Sequence, residues 1–310
     1  MSAKEIILSY LGKKLHGVFE TLSEEFFAGI TEIRIRTGKP LILLRAGREY
    51  FLEETGRFGE LAAAYQPCET DIQETLALIS DYSLYAFEEE LRSGYITLTG
   101  GHRVGVVGRA VLENSHLRGL KNISGFNIRI SHEVKGCADA VIESLTLPRP
   151  RHSMIISPPG CGKTTLLRDI IRQLSNGRPG QFPGLPVGVV DERSEIAGCY
   201  RGVPQNDVGC RTDVLDGCPK AEGMIILLRS MSPRVIAVDE LGSRADIQAV
   251  EDIVNAGVTV VCTVHGRDLE DIRQKKTFQE LLAKNIFERF VTLKGQGKLV
   301  GVFTEAGRPV

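Results

Sequence analysis

The stretch Ser153–Asp169, "SMIISPPGCGKTTLLRD", constrains the fold more than any other part of the sequence. The apolar residues 154–156 predict a short buried strand, and the Pro-Pro-Gly that follows interrupts regular structure. Apolar residues then recur along one face and predict a helix from Thr164 to Leu174. A strand, a glycine-containing loop and a helix are the context of the phosphate-binding motif G-x-x-x-x-G-K-[ST]. The sequence therefore predicts a phosphate-binding loop.

The predicted loop departs from that motif at one position, because Ser157 stands where the first glycine belongs. That glycine serves mainly the entry geometry, so we expect a small serine to cause little strain. Loop N–H groups and the helix dipole favour an anion, Lys163 adds a charge for the outer phosphates, and the Thr164 hydroxyl is a ligand for Mg²⁺. An ordinary glycine-rich turn is the alternative, and the intact Gly-Lys-Thr favours a site for ATP. The predicted nucleotide-binding residues here are Ser157, Pro158, Pro159, Gly160, Cys161, Gly162, Lys163, Thr164 and Thr165.

Strands and helices alternate from about residue 134 onward and predict an α/β core, 134–310, with a mainly parallel sheet. Three apolar runs, 187–190, 235–238 and 258–264, each end in polar residues. Ligands bind at the carboxyl ends of strands in an open parallel sheet, so we expect these polar residues to gather around the phosphates. They are Asp191 with Glu192, Asp239 with Glu240, and His265.

The acidic pair in "VIAVDE" predicts the magnesium site and the catalytic base. Asp239 is the expected partner of Thr164 at Mg²⁺, and Glu240 is placed to polarise the attacking water. Asp191 and Glu192 form a second acidic pair that competes for these roles. His265 ends the last strand of the series, where it is placed to sense the γ-phosphate, although a lone histidine is more often structural.

An arginine at the phosphates accelerates phosphoryl transfer by roughly 10³–10⁵, often from a neighbouring subunit. Arg211 is the predicted catalytic arginine, within a glycine-punctuated segment that also holds Arg193 and Arg201. Arg103 and Arg129, earlier in the chain, are further candidates. Most arginines are solvated surface residues, which is the alternative for each.

Residues 1–133 predict a smaller α+β domain without catalytic motifs of its own. "ITEIRIRTGKPLILL" alternates apolar and charged residues, which favours a strand, a turn and a second strand. "GYITLTGGHRVGVVGRA" predicts a hairpin with Gly100-Gly101 as a two-residue turn. The segment Asp71–Glu90 is predicted to be helical.

Composition excludes several classes of protein. Lys and Arg (38) nearly balance Asp and Glu (39), so no overall field attracts nucleic acid or acidic lipid. Seven cysteines without a C-x-x-C pair fit neither a disulfide framework nor a zinc site, and indicate reduced thiols in a cytoplasm. No apolar run approaches the length of a membrane span, so we expect a cytoplasmic protein that reaches a membrane only through partners.

Four segments carry a resemblance to a known family: "EIRIRTGKP", "VVDERSEIAG", "QNDVGCRTDVLDGCPKAEGM" and "VIAVDELG". Together they resemble the stage III sporulation protein AA family, cytoplasmic ATPases of endospore-forming bacteria that are related to the type II and type IV secretion ATPases. The resemblance covers nearly the whole chain.

The resemblance implies a RecA-like ATPase core behind a smaller N-terminal domain, assembled as a homo-oligomer, a hexameric ring with ATP between neighbours. By the secretion ATPase pattern, Glu192 falls in the acidic box that supplies the catalytic glutamate, Glu240 in the Walker-B box and His265 in the histidine box. Asp239-Glu240 replaces the usual Gly-Glu, so the choice between Glu192 and Glu240 as catalytic base stays open. Arg103 and Arg129 match the N-terminal arginines that reach the phosphates in the relatives.

The implied role is to energise a channel complex between mother cell and forespore, with membrane proteins of that complex as partners. A single-stranded nucleic-acid motor is the alternative, since other RecA-like cores act on single strands. The chain lacks tryptophan and a basic aromatic stripe, and it ends soon after the core, which disfavours nucleic acid. A scaffold that binds ATP but barely turns it over is a third possibility.

Overall fold

The computed structural model describes residues 1–82, 94–113, 116–295 and 297–310. These residues form two compact units, an N-terminal unit, Met1–His132, and a C-terminal unit, Glu133–Val310. Each unit is built around its own clusters of buried apolar side chains.

The N-terminal unit combines short helices with one antiparallel sheet. Its helices are α1 (Ala3–Ser9), α2 (Lys13–Glu20), α3 (Glu24–Phe27) and α4 (Glu69–Ile79). Its strands are β1 (Ile30–Arg36), β2 (Ile42–Arg45), β3 (Arg48–Leu52), β4 (Phe58–Gly59), β5 (Tyr95–Thr97), β6 (Arg103–Glu113) and β7 (His116–Arg129). Across the sheet the strands run in the order β4-β3-β2-β1-β7-β6-β5.

Alternation along β1 explains how this sheet builds a core. Ile33 and Ile35 are fully buried, whereas Arg34 between them is partly exposed. Successive side chains of a strand point to opposite faces, so one face of the sheet is apolar and the other carries charge. The predicted strand–turn–strand pattern is therefore present, with β1 and β2 paired antiparallel.

Two predicted details of this unit differ in the structure. β5 and β6 do pair as a hairpin, but a 3₁₀ turn over Thr99–Gly101 joins them instead of a two-residue turn. The predicted helix begins at Glu69 and ends at Ile79, because Asp81 and Tyr82 take left-handed φ values of 48° and 58° that a helix cannot continue. The rest of the predicted helix, 83–90, lies outside the described residues.

The C-terminal unit alternates strands with helices. Its helices are α5 (Ile142–Thr146), α6 (Lys163–Asn176), α7 (Lys220–Ser230), α8 (Arg244–Asn255), α9 (Leu269–Gln274) and α10 (Lys276–Ala283). Its strands are β8 (Ser153–Ser157), β9 (Gly177–Arg178), β10 (Phe182–Pro183), β11 (Val187–Asp191), β12 (Thr212–Asp216), β13 (Val235–Val238), β14 (Thr259–His265), β15 (Arg289–Lys294) and β16 (Lys298–Phe303).

A seven-stranded sheet in the described residues organises this unit, in the order β12-β11-β13-β14-β8-β15-β16. Its strands pair in parallel except β15 with β16, so the predicted mainly parallel α/β core is confirmed. Helix α6 packs Leu167, Ile170 and Ile171 on one face of the sheet. The opposite face buries Met154 and Ile236 among side chains of α7 to α10. Apolar side chains on both faces make this a three-layer α/β/α arrangement.

Parallel strands place all their carboxyl ends at one edge. The ends of β8, β11, β13 and β14 therefore meet there, and the segments that follow them supply the site described next. None of the helices within the described residues has the length and apolarity needed to cross a membrane.

Candidate nucleotide-binding and catalytic site

The loop between β8 and α6 has the backbone of an anion cradle. Gly160 and Gly162 take φ values of 71° and 77°, which only glycine adopts without strain. Gly162 caps the start of α6 without any side-chain hydrogen bond to the helix. The first-turn N–H groups therefore point at the loop without a capping side chain, and the helix dipole adds positive potential there.

Ser157, at the position of the missing first glycine, is fully buried. Its Oγ donates a hydrogen bond to the carbonyl oxygen of Pro158 at 2.9 Å. Its own carbonyl oxygen accepts from Gly266 N at 3.2 Å, which ties the loop entry to the segment after β14. Ser157 is not among the residues with positive φ, so the backbone here does not require glycine.

Three charged or polar side chains form a chain of contacts beside the loop. Lys163 is buried, and its Nζ lies 3.1 Å from His265 Nδ1. His265 Nε2 lies 2.7 Å from Glu240 Oε1. The structure thus brings together Lys163, Glu240 and His265, which come from three separate sequence motifs.

Glu240 reaches His265 because of an unusual backbone conformation. Its φ is 54°, in the left-handed region that a glutamate rarely adopts. The turn is held by Thr263, whose Oγ1 accepts from Glu240 N at 2.8 Å. The second carboxylate oxygen accepts from Arg193 Nη1 at 3.2 Å. Residues in sparsely populated φ/ψ regions cluster at functional sites, and Glu240 fits that pattern.

Asp239 connects the loop to the end of β13. Thr164 Oγ1 donates to Asp239 Oδ2 at 2.6 Å, and Thr263 Oγ1 donates to Asp239 Oδ1. Burial raises the pKa of Asp239, hydrogen bonds from the two threonine hydroxyls oppose that shift, and nearby Glu240 adds to it. A carboxylate in this position gains from a cation, since Mg²⁺ would offset the cost of burying its charge.

No group of three or more His, Cys, Asp or Glu side chains in the described ranges could hold a metal ion by itself. Mg²⁺ usually binds through one or two carboxylates together with water and substrate phosphates, without a cage made entirely of protein groups. Thr164 and Asp239 supply a hydroxyl and a carboxylate of the required kind, within hydrogen-bonding distance of each other.

The second acidic pair is divided between two environments. Asp191 is buried and accepts from the backbone N–H groups of Glu195, Ile196 and Ala197 at 2.7–3.0 Å. Its oxygens are therefore occupied in shaping a loop, which disfavours Asp191 as the magnesium ligand. Glu192 is exposed and pairs with Lys220 at the start of α7.

Arg211, the predicted catalytic arginine, does not lie at the loop of the C-terminal unit. Arg211 precedes β12 at the amino edge of the sheet, opposite the loop, and its Nη1 donates to Ser175 O at 3.0 Å. Arg103 and Arg129 belong to the N-terminal unit, where they face each other across β6 and β7. Arg103 also stacks over the ring of Tyr95. Any role for the three arginines toward nucleotide remains a prediction.

Several contacts at the site were not predicted from the sequence. Thr263 holds both Asp239 and the backbone of Glu240, and Lys220 holds Glu192. Buried Arg168 on α6 donates to the carbonyl oxygens of Glu195 and Ile196, so it fastens the loop after β11 to the helix. The one usable signal was spacing, because Arg168 follows Thr164 by about one helical turn.

The fold and the site define the class of protein. RecA-like P-loop proteins have a parallel sheet, a glycine-containing loop after one strand, and acidic residues at the ends of neighbouring strands. The sequence model of the family described as "Sporulation stage III, protein AA" matches residues 1–310, and the chain belongs to that family. It is 39% identical over 304 residues to stage III sporulation protein AA of Bacillus subtilis (strain 168), covering 97% of this chain and 95% of that protein. The family resemblance predicted from sequence is thereby confirmed.

Two solved structures support the fold. The Legionella pneumophila ATPase DotB superposes with a TM-score of 0.58 at 18% identity, over 91% of this chain and 79% of that one. The pilus retraction motor PilT, solved with bound ADP, superposes with a TM-score of 0.52 at 15% identity, over 87% and 75% of the two chains. At such identities the likeness concerns the fold, and the predicted RecA-like architecture is confirmed.

Proposed function

We propose that the chain binds ATP with Mg²⁺ and hydrolyses it, and that hydrolysis powers or gates a membrane-associated transport complex during endospore formation. The observation that carries the proposal is the hydrogen bond of 2.6 Å between Thr164 of the loop and Asp239 of the acidic strand end. This bond brings a hydroxyl and a carboxylate to one point beside the phosphate loop, as Mg²⁺ on a bound nucleoside triphosphate requires.

Each residue has a role in the proposed reaction. Lys163 binds the outer phosphates, and its amine lies 3.1 Å from His265 Nδ1 at the end of β14. Glu240 orients the attacking water. His265 connects Glu240 to Lys163, the residue that binds the phosphates. Glu192 is the second candidate for the base, and its pairing with Lys220 favours Glu240.

We further propose a homo-oligomer, a hexameric ring, in which residues 1–133 and 134–310 act as two domains and an arginine acts in trans. Arg211 supports this arrangement, because it lies away from the loop of its own chain. The partners would be membrane proteins of the sporulation complex, with the chain cytoplasmic and peripheral. The name of the Bacillus subtilis relative supports the sporulation role, and the names of DotB and PilT support ATPase and motor activity.

The test is ATP turnover per subunit over a wide range of protein concentration, with Lys163→Ala as the blank. We expect turnover that rises with concentration and disappears in the blank, because a site completed by a neighbour forms only in the assembly. Turnover that is flat with concentration would contradict the trans arginine and the ring, while leaving hydrolysis itself intact. Turnover unchanged in Lys163→Ala would overturn the phosphate-loop assignment.

A further inference from the structure

We propose that Thr263 is a positioning residue, whose single hydroxyl sets the geometry of both Asp239, the proposed magnesium ligand, and Glu240, the proposed base. The proposal rests on the proposed function, because it takes hydrolysis of Mg²⁺-ATP as the reaction that these two carboxylates serve. Thr263 lies on β14 and is fully buried. Its hydroxyl is engaged by the two neighbours, so its effect on the reaction is exerted through them.

The pairing of β13 with β14 brings Thr263 to the turn that follows β13. The two strands are parallel, and their pairing extends to Val238 and Cys262. Thr263 is the next residue of β14, and its side chain contacts Asp239, the next residue after β13. The main-chain carbonyl oxygen of Thr263 also accepts from Leu241 N at 3.0 Å. Backbone and side chain of one residue therefore hold the whole turn.

The Thr263 hydroxyl makes two hydrogen bonds of opposite direction. Glu240 N donates to Oγ1 at 2.8 Å, and Oγ1 donates to Asp239 Oδ1. A main-chain N–H only donates and an ionised carboxylate only accepts, so both directions are fixed. A replacement must donate and accept at the same atom. Serine meets that condition, whereas valine, which has nearly the same shape, does not.

The bond from Glu240 N supports a backbone conformation that is otherwise unfavourable. Glu240 has a φ of 54°, in the left-handed region. Such a conformation persists only where the surrounding structure over-determines it. The side chain that leaves this turn reaches His265, with Oε1 at 2.7 Å from Nε2. Loss of the Thr263 hydroxyl would therefore loosen the direction in which the Glu240 carboxylate points.

The bond to Asp239 orients the carboxylate that would bind Mg²⁺. Oδ1 of Asp239 is held by Thr263, and Oδ2 accepts from Thr164 Oγ1 at 2.6 Å. One oxygen is thus fixed by a buried hydroxyl, and the other faces Thr164, the second proposed ligand. Mg²⁺ requires near-ideal octahedral geometry, so the orientation of a single carboxylate matters for its binding. Thr263 therefore ties the metal ligand and the base to one support.

The first experiment compares three variants with the natural chain. Thr263→Val removes the hydroxyl at nearly constant volume, and Thr263→Ser keeps the hydroxyl. Thr259→Val is the matched control, because Thr259 lies on the same strand, about 13 Å away at its amino end. The measurements are the single-turnover rate of ATP hydrolysis, the Mg²⁺ concentration that gives half of the maximal rate, and the binding of ATP in the presence of EDTA.

We expect Thr263→Val to lower the hydrolysis rate by about 10², because a misdirected base loses most of its catalytic effect. The half-maximal Mg²⁺ concentration should rise about fivefold or more, because Asp239 loses one of its two threonine donors. Binding of ATP in EDTA should change less than about twofold, since the phosphate loop and Lys163 are untouched. Thr263→Ser should recover at least about half of the rate. Thr259→Val should behave as the natural chain does.

Three results would overturn the proposal. The first is a natural rate and a natural Mg²⁺ dependence in Thr263→Val. The second is a Thr263→Ser protein as slow as Thr263→Val, because side-chain shape and not the hydroxyl would then matter. The third is an equally large loss of ATP binding in EDTA, which would mean a general disturbance of the site. A natural chain that hydrolyses no ATP would overturn the proposed function together with this proposal, and is thereby distinguished from a failure of Thr263 alone.

A second experiment is made without nucleotide and does not depend on how Thr263→Val folds. Hydrogen exchange of the Glu240 amide is followed by NMR in the natural chain and in Thr263→Ser. With the buried hydroxyl as its acceptor, this amide should exchange at least about 10² more slowly than an unstructured amide, in both proteins. A Glu240 amide that exchanges as fast as an unstructured one in the natural chain would overturn the proposal.

Discussion

His265 Nε2 lies 2.7 Å from Glu240 Oε1, and the neighbouring contact with Lys163 indicates which ring nitrogen carries the hydrogen. The Lys163 ammonium, 3.1 Å from His265 Nδ1, can only donate, so Nδ1 accepts and Nε2 of a neutral ring carries the hydrogen. That hydrogen is donated to the Glu240 carboxylate. The imidazole thus connects the predicted phosphate lysine with the predicted base.

We expect His265→Ala to lower ATP turnover by roughly 10² while changing ATP affinity little. Glu240 would lose the donor that orients it, and orientation of the water is lost with it. His265→Gln provides the matched variant, because its amide can still donate to Glu240 and should restore part of the rate. The measurements are single-turnover hydrolysis and equilibrium binding. A rate in His265→Ala equal to that of the natural chain would contradict the contact's role.

The two glutamates should differ in their effect on hydrolysis. We expect Glu240→Gln to reduce turnover by about 10² or more, because Glu240 contacts His265 and follows Asp239, the proposed magnesium ligand. Glu192→Gln should reduce it less, since Lys220 already engages that carboxylate. Steady-state turnover at saturating ATP compares the two variants. The reverse order would assign the base to Glu192, as the secretion ATPase pattern suggests.

Asp239 should make stability depend on magnesium and pH. Burial raises its pKa, so the folded state holds the proton more strongly than the unfolded chain. The bound proton on Asp239 therefore contributes fully to the free energy of unfolding below the usual aspartate pKa. This contribution is lost as the pH rises through the raised pKa of Asp239. At a pH above the raised pKa, the ionised carboxylate destabilises the fold until a cation neutralises it.

We accordingly expect Asp239→Asn to raise the Tm of the magnesium-free protein at neutral pH. The increase should be about 2–4 °C, the shift that one kcal/mol produces in a domain of this size. Asp252→Asn, at an exposed position of α8, is the control and should leave the Tm unchanged. Stabilisation by Mg²⁺ with ATP should be lost in Asp239→Asn alone. Scanning fluorimetry measures these Tm values with and without Mg²⁺ and ATP. A lower Tm for Asp239→Asn than for the natural chain would refute the destabilising effect of the ionised Asp239 carboxylate.

The sequence predicted the sheet and the loop because both have strong local signals. Apolar runs of four to seven residues followed by acidic pairs or histidine marked the strands β11, β13 and β14. Their order in space follows from the parallel topology, so the meeting of Lys163, Glu240 and His265 was predictable from the motifs.

The remaining contacts lacked such signals. Strand β12, Thr212–Asp216, lies at the sheet edge with half-buried side chains, and its polar sequence reads as a loop. Thr263 and Lys220 are single polar residues whose partners lie 23 or more positions away, and no periodicity reveals such pairs. The left-handed φ of Glu240 likewise depends on tertiary contacts.

Asp191 should matter for stability more than for metal binding. Asp191→Ala would leave the N–H groups of Glu195, Ile196 and Ala197 without their acceptor. Unsatisfied buried donors cost about 1–3 kcal/mol each, so we expect unfolding free energy to fall by about 3 kcal/mol. Urea denaturation gives the value. Asp213→Ala, on partly exposed β12, is the matched control and should cost much less. A loss of Mg²⁺ affinity in Asp191→Ala without a loss of stability would contradict this role.

Ser157→Gly should keep turnover within a few-fold of the natural chain. The serine's φ is not positive, so glycine would relieve no strain there. The substitution removes only the hydrogen bond from Oγ to Pro158 O and adds backbone freedom, which together should lower stability by about 1 kcal/mol. Turnover and Tm are measured side by side, with Ser157→Ala separating the lost hydroxyl from the added freedom. A large gain of turnover in Ser157→Gly, absent from Ser157→Ala, would mean that the serine restrains the loop through its backbone.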